Sequence, residues 1–179
     1  MVRIDFTRLR FLVIDDSDHL RQIVRTILHG FGARTILEAE DGAVGLEVFG
    51  RNQPDIVITD WGMPILNGIE LTQMIRQPGA NPNPFVPIIM ITSHTEKARV
   101  MAARDAGVTE FLAKPISAKA LYLRIHNVIH NPRPFIKTET YFGPDRRRTV
   151  NPNYRGPERR KANMGEVAPN KPAVAAQES

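Results

Sequence analysis

Short, continuously apolar runs alternate with amphipathic stretches along the first 131 residues of the chain. The clearest runs lie at residues 11–14, 55–60 and 86–92, and runs of this length are typical of strands buried on both faces. The stretches between them carry apolar side chains at helical spacing, for example from Ser17 to about His29. This order predicts an α/β fold: a parallel sheet of five strands, with helices on both faces and right-handed crossovers.

The predicted elements follow one another strictly. The strands are expected at residues 11–14, 34–38, 55–60, 86–92 and 110–113. The helices are expected at about residues 17–29, 41–49, 67–76, 95–106 and 117–130. In a doubly wound fold of this kind, ligands bind beyond the carboxyl ends of the strands.

The charge of the chain is unevenly distributed. Residues 1–131 contain 14 Lys or Arg and 14 Asp or Glu, whereas residues 132–179 contain ten and five, so the whole net charge of +5 lies in the second segment. That segment is poor in Leu, Ile and Val and rich in proline, a composition that predicts a largely disordered tail. We therefore divide the chain into a domain at 1–131 and a basic tail at 132–179.

Composition also excludes several classes of protein. The chain has no cysteine, which rules out disulfide scaffolds, cysteine-ligated metal centres and thiol nucleophiles. It has no apolar run of about 20 residues and no signal-peptide core near Met1. We expect a soluble, cytoplasmic protein without membrane insertion.

Acidic, hydroxyl and basic side chains follow the predicted strands where each one ends. Asp15 and Asp16 follow the first strand, Asp60 ends the third, Thr92 ends the fourth, and Lys114 follows the fifth. A single Asp at a strand end is usually a helix cap or a turn residue, but here all the groups fall at one edge of the sheet. Crowded carboxylates repel one another unless a cation joins them, and Mg²⁺ suits a site of oxygen ligands that keeps several waters. A phosphoryl group fits between such a metal, a lysine and a hydroxyl.

The motifs FLVIDDSD, IVITDWGMP followed by NG, IIMITS and FLAKP resemble those of CheY-like response-regulator receiver domains over about residues 8–131. The resemblance implies the flavodoxin-like strand order 2-1-3-4-5 and a signalling protein rather than an enzyme. It implies phosphorylation of Asp60 by a histidine kinase or phosphotransfer protein. Mg²⁺ would be held by Asp15, Asp16, Asp60 and the backbone carbonyl of Gly62.

The same resemblance assigns a switch to the site. Thr92 would be the switch hydroxyl and Lys114 the phosphate-binding ammonium, held by a cis bond to Pro115. Phe111 would be the aromatic side chain that turns inward on activation, although an ordinary half-buried strand residue explains it as well from sequence alone. Phosphorylation would then shift a two-state population and alter the surface of the last two helices and the last strand.

The tail contains an internal repeat. Residues 141–148 (YFGPDRRR) and 154–161 (YRGPERRK) share the pattern Tyr-x-Gly-Pro-acid-Arg-Arg-base, with five identities in eight positions. Gly-Pro favours a turn that would project the arginines that follow it. Arginine reads phosphate and guanine through the same planar fork, and tyrosine or arginine stacks on bases. A compact ligand with two guanines and two phosphates, cyclic di-GMP, matches this duplication.

The paired GPxRR motif resembles the arginine-rich tails of the CheY-like c-di-GMP effectors (Cle proteins), in which the tail wraps the nucleotide and the loaded protein engages the flagellar motor. That resemblance implies a role in motility and possible contact with a motor switch protein. The candidate c-di-GMP residues are Tyr141, Gly143, Pro144, Asp145, Arg146, Arg147, Arg148, Tyr154, Arg155, Gly156, Pro157, Glu158, Arg159 and Arg160. The RxxxR spacing of a PilZ domain is present, but the barrel and the downstream motif of that domain are absent.

Two alternatives remain open for the tail. It could contact only a protein partner in a phosphorylation-dependent adaptor, or it could bind nucleic acid without sequence preference. Specific DNA recognition is not expected, because no helix-turn-helix pattern follows the receiver.

Overall fold

The computed structural model describes residues 4–93, 96–145 and 165–167. Five parallel strands form one sheet in the order β2-β1-β3-β4-β5, as the resemblance implied. These strands are β1 Arg10–Ile14, β2 Thr35–Ala39, β3 Ile56–Asp60, β4 Ile88–Thr92 and β5 Glu110–Ala113. The helices that connect and follow them are α1 Asp18–Phe31, α2 Gly42–Asn52, α3 Gly68–Arg76, α4 Lys97–Ala106 and α5 Ala118–His130.

The sheet is buried because alternate residues of its strands face two separate cores. Phe11 and Val13 join the core formed with α1 and α5, and Leu12 and Ile14 join the core formed with α2 and α3. The central strands β3 and β4 are buried at every position. This arrangement explains the continuously apolar runs of the sequence.

Capping residues fix where several helices begin. Ser17 Oγ accepts a hydrogen bond from the amide of Leu20, and so α1 starts directly after the acidic pair. Asn67 and Glu70 form a reciprocal capping box at the start of α3. These caps hold the loops that follow β1 and β3 at the carboxyl edge of the sheet.

The first part of the predicted tail is ordered against the domain. An antiparallel hairpin is formed by strands β6 Phe135–Lys137 and β7 Phe142–Pro144. Strand β8 Gly165–Val167 pairs antiparallel with the other edge of β6. The expectation of disorder is therefore corrected for residues 132–145. The physical reason is apolar burial: Phe135 is only 3% exposed and contacts the aromatic ring of Phe85.

Within the described ranges, no helix is long and apolar enough to cross a membrane.

Candidate functional site

Three carboxylates converge at the carboxyl edge of the sheet, as the strand ends predicted. Asp15 and Asp16 follow β1, Asp60 ends β3, and one oxygen of each lies within 4.8 Å of the others. Asp15 and Asp60 are buried, at 4% and 7% exposure, whereas Asp16 is exposed. Two largely desolvated carboxylates this close together need positive charge nearby.

Lys114 supplies part of that charge. Its Nζ lies 2.7 Å from Oδ1 of Asp60 and 3.7 Å from Oδ2 of Asp15. The Lys114–Pro115 bond is cis, as the resemblance implied, and the amide of Lys114 donates to the carbonyl of Thr92. The ammonium group therefore contacts the two buried carboxylates from the β5 side of the site.

Burial raises the pKa of the Asp15 carboxyl above its usual range. A hydrogen bond from the Ser17 amide, 2.8 Å from Oδ1, opposes this effect, and the charge of Asp60 adds to it. The ammonium group of Lys114 carries one positive charge, whereas the cluster contains three carboxylates. A divalent cation at the same place would complete the compensation.

Backbone geometry around Asp60 leaves one of its oxygens bound and the other beside the lysine. The amide of Gly62 donates to Oδ2 at 2.9 Å, while Oδ1 contacts Lys114. Gly68, which the sequence places after Asn67, packs so closely on the carbonyl of Asp60 that a Cβ would overlap with it. The glycine thus lets α3 begin directly against the end of β3.

A cleft of about 300 Å³ opens over the cluster. Its walls include the three aspartates, Lys114 and the buried Thr92 at the end of β4. Trp61 and Ser17 also line it, although sequence reasoning assigned neither a place in the site. A small anion in this cleft would meet a lysine and a hydroxyl, and a cation would meet carboxylates.

The donor set fits Mg²⁺. Three carboxylates offer hard oxygen ligands within one small volume, and Gly62 lines the same cleft. Among the described residues, these three aspartates form a group whose carboxylate oxygens lie close enough together to share one metal ion. An acidic Mg²⁺ pocket is thus present where the sequence predicted it.

Phe111 is half-buried and lies on β5 three residues before Lys114. It packs on a small cluster formed by Met90 and Ala103, which Trp61 also contacts. This cluster joins α4 to the residue next to Asp60. Phe111 is therefore placed where a change at the site could reach α4.

The structure describes only part of the repeated tail motif. The hairpin contains Tyr141, Gly143, Pro144 and Asp145. It contacts Phe85, which precedes β4, and so it lies at the amino ends of the strands, away from the acidic cluster at their carboxyl ends. The remaining candidate residues, Arg146, Arg147, Arg148, Tyr154, Arg155, Gly156, Pro157, Glu158, Arg159 and Arg160, lie outside the described residues.

Comparison with known proteins defines the class. Residues 11–126 match the response regulator receiver domain, and the chain belongs to that family. Within it, the chain is 34% identical over 122 residues to a protein named chemotaxis protein CheY homolog from Campylobacter jejuni, covering 68% of this chain and 92% of that protein. It is 36% identical to chemotaxis protein CheY1 of Helicobacter pylori over the same share of this chain and 97% of the relative.

Solved structures agree with the family assignment. The chemotaxis response regulator CheY4 of Vibrio cholerae superposes with a TM-score of 0.63 at 29% identity, covering 68% of this chain and 99% of that one. A receiver domain protein from Clostridium thermocellum gives 0.61 at 31% identity, covering 68% and 94%. Receiver domains are generally signalling proteins without enzymatic activity, and they imply a histidine kinase or phosphotransfer protein as partner.

Proposed function

We propose that this protein is a response regulator that is phosphorylated on Asp60 and that binds cyclic di-GMP through its basic tail. The convergence of Asp15, Asp16 and Asp60 with Lys114 carries the first half of the proposal. The duplicated motif at 141–148 and 154–161 carries the second half. The regulated output is a protein–protein interaction.

In the proposed reaction, an oxygen of Asp60 attacks the phosphorus of a phosphohistidine on the kinase or phosphotransfer protein. A P–O bond forms to Asp60, the P–N bond breaks, and the imidazole leaves with the electron pair. Lys114 is already 2.7 Å from Asp60 Oδ1 and would stabilise the negative charge on the transferring group. Mg²⁺, held by Asp15, Asp16, Asp60 and the carbonyl of Gly62, would neutralise charge on both carboxylate and phosphoryl oxygens.

The switch follows from the added charge. A phosphoryl group places up to two negative charges and three acceptor oxygens beside Thr92 and Lys114. The Thr92 hydroxyl would be drawn towards a phosphoryl oxygen, and Phe111 would turn into the space that this movement leaves. The packing of Phe111 on the cluster that includes Ala103 of α4 supports this route, because a rotation of that ring changes the packing beside the helix. Phosphoryl transfer to Asp60→Asn protein tests the acceptor.

Cyclic di-GMP fits the tail by chemistry and by number. Each copy of the motif has an acidic residue and then at least two consecutive arginines after Gly-Pro, and Arg147 and Arg160 hold the same place in the two copies. Two sets of forks match two guanines and two phosphates. The resemblance to the Cle proteins supports the same ligand, and under this proposal the partner of the loaded protein is a flagellar motor switch protein. The names of the CheY relatives support a role in chemotaxis.

The alternative function is a phosphorylation-dependent adaptor whose tail contacts a protein partner or nonspecific nucleic acid. It is favoured by the simple excess of charge, since residues 141–161 carry seven basic and two acidic side chains. Loose phosphate binding falls steeply with salt, whereas guanine recognition keeps its selectivity.

Calorimetry at two salt concentrations separates these functions. We expect c-di-GMP to bind in preference to GMP and GTP at both concentrations, and binding to be lost in Arg147→Ala plus Arg160→Ala. The matched control, Lys137→Ala plus Lys171→Ala, removes the same charge outside the two copies and should bind normally. Absence of c-di-GMP binding, or equal loss in both double variants, would overturn the nucleotide half of the proposal.

A further inference from the structure

The hairpin of the tail covers an aromatic surface of the receiver at the edge of the sheet opposite the acidic cluster. Phe85, in the loop before β4, contacts Phe135 and Phe142, with ring centroids 5.1 and 5.2 Å apart. The two hairpin rings contact each other at 5.6 Å. The three aromatic rings thus pack against one another, with Phe135 buried and the other two half-buried.

Beneath this cluster lies a buried arginine of the receiver. The Arg76 guanidinium donates to three backbone carbonyls, those of Gly107, Pro84 and Val86, at 2.7–3.0 Å. Its carbon atom Cζ lies 5.0 Å from the centre of the Phe135 ring. Burial lowers the pKa of Arg76 to about 9. The hairpin thus helps to shield the Arg76 guanidinium from solvent.

An ion pair fixes the chain where it leaves α5. Glu110, which is 1% exposed at the start of β5, accepts hydrogen bonds from Arg133 at 2.9 Å and Asn127 at 2.6 Å. Arg133 is the first basic residue of the tail. A buried carboxylate of the receiver therefore holds the beginning of the tail.

The first copy of the repeat builds the far end of the hairpin. Tyr141 Oη donates to the carbonyl of Pro144 at 2.7 Å. A Cβ added at Gly143 would lie 2.6 Å from that same Oη and 3.1 Å from the Cα of Gly107, which ends α4. The tyrosine and glycine of this copy are therefore committed to packing within the hairpin and against the receiver.

The second copy lacks one part of this contact. It carries Arg155 at the position of Phe142, so it does not offer the aromatic side chain that meets Phe85 in the first copy. The two copies share the pattern Gly-Pro-acid-Arg-Arg, but they differ in the residue before the glycine, which is the aromatic contact in the first copy. Their roles should differ accordingly.

We propose that residues 133–145 form a docking clasp that anchors the basic segment to the receiver beside Gly107. In this clasp Tyr141 and Gly143 are positioning residues rather than nucleotide contacts, and recognition falls to the arginines that follow and to the second copy. The recognition half rests on the proposed c-di-GMP function; the docking half does not. Anchoring one end of the tail would lower the conformational entropy lost when the tail closes on a ligand.

The lining of the cleft beside the clasp agrees with a clasp that positions the tail rather than binding the nucleotide. The cleft measures about 790 Å³ between the hairpin turn and α3. Its described charged lining is three carboxylates, Glu70, Asp105 and Glu139, against the cations Arg76 and Lys137. Such a lining is a poor complement to a phosphate, so we place no nucleotide there.

Paired variants in the full chain test the docking half. Gly143→Ala and Tyr141→Ala should lower the unfolding midpoint by about 2–4 °C or more, since each disturbs the Tyr141 packing. They should also speed amide exchange at Asp145, whose amide donates to Pro134 in the clasp. Gly156→Ala and Tyr154→Ala, the same changes in the second copy, should leave both quantities unchanged. Equal effects in the two copies, or an unprotected Asp145 amide in the wild type, would overturn the clasp.

Calorimetry on the same variants tests the recognition half. Tyr154→Ala should weaken c-di-GMP binding at least tenfold, and Tyr141→Ala by a smaller factor, as expected for a residue that only positions the tail. A larger loss in Tyr141→Ala would overturn the division of roles. If the wild type binds no c-di-GMP, the proposed ligand fails, while the stability and exchange measurements still decide the clasp.

Discussion

Asp15 carries a charge where water is largely excluded, and this residue shows most directly what the site costs the fold. Its carboxyl is 4% exposed, lies near Asp60, and receives its compensation from Lys114 at 3.7 Å and the Ser17 amide. Burial raises the pKa of Asp15, so the native state holds the proton more readily than the unfolded chain. The stability cost of Asp15 therefore grows as the pH rises from the unfolded-chain value through the raised native value.

Asp15→Asn should consequently stabilise the protein at pH 7, by about 1 kcal/mol in the free energy of unfolding without Mg²⁺. The asparagine oxygen can still accept from the Ser17 amide, and the charge is gone. Urea unfolding at pH 7 and at a pH below the unfolded-chain pKa measures the effect, and the gain should vanish at the lower pH. A destabilised variant at pH 7 would show that the Asp15 charge is already well compensated.

The same substitution should abolish the response of the site to Mg²⁺. Trp61 is the single tryptophan of the chain and lines the cleft, so its fluorescence reports on ion binding there. We expect a saturable change with Mg²⁺ in the wild type and none in Asp15→Asn. An unchanged titration in the variant would remove Asp15 from the metal site.

At this scale the sequence predicted the acidic cluster well, because parallel strands bring their carboxyl ends to one edge. Asp15, Asp16 and Asp60 needed only the strand assignment to be placed together. The burial of Arg76 could not be predicted, since its partners come together only in the folded chain. They are backbone carbonyls of two loops and the ring of Phe135, which lies more than 50 residues further along the chain. A helix-terminal arginine has no sequence signal that separates it from an exposed one.

Among the elements, the predicted strands and helices agree with the structure to within a few residues, and the deviations have local causes. Helix α2 extends to Asn52, beyond its predicted end at Phe49. Its apolar periodicity is imperfect because Gly45 takes an inward position, where a Cβ would lie 2.6 Å from Ile14 Cδ1. Strand β4 starts at Ile88 rather than Val86, since Pro87 has no amide to donate to a ladder.

The clasp is the element that the sequence did not reveal. Its strands are three residues long and lie between prolines, in a segment whose overall composition predicts disorder. Phe135 and Phe142 pack on Phe85, which lies in the proline-rich loop between α3 and β4. The average composition of a segment does not show whether two of its aromatic residues can pack on the neighbouring domain.

Arg133→Ala should destabilise the protein by about 2 kcal/mol, because Glu110 would lose its closest cation while remaining buried. Lys137→Ala, an exposed basic residue of the same hairpin, should change stability by less than about 0.5 kcal/mol. Chemical denaturation of the two variants provides the comparison. Equal values would mean that the ion pair does not hold the tail.

On the scale of the whole molecule, a neutral receiver carries its entire excess charge beyond α5. Both proposed inputs are anionic: a phosphoryl group on Asp60 in the acidic cluster, and a nucleotide on the basic segment that follows the clasp in the sequence. The C-terminal part of helix α4 neighbours both places, since Ala103 belongs to the cluster on which Phe111 packs and the capping residue Gly107 lies beside the clasp.

The proposed signalling depends on the transfer of a phosphoryl group to Asp60. The direct measurement is intact-mass spectrometry of the full chain after incubation with acetyl phosphate, with Mg²⁺ and with a chelator. Asp18→Asn, which neutralises a nearby carboxylate that is 94% exposed, is the matched control for Asp60→Asn. We predict the mass of one added phosphoryl group in the wild type and in Asp18→Asn, only with Mg²⁺, and none in Asp60→Asn. Phosphorylation of Asp60→Asn to the same extent as the wild type, or no phosphorylation of the wild type, would contradict the assignment of Asp60 as the phosphoryl acceptor.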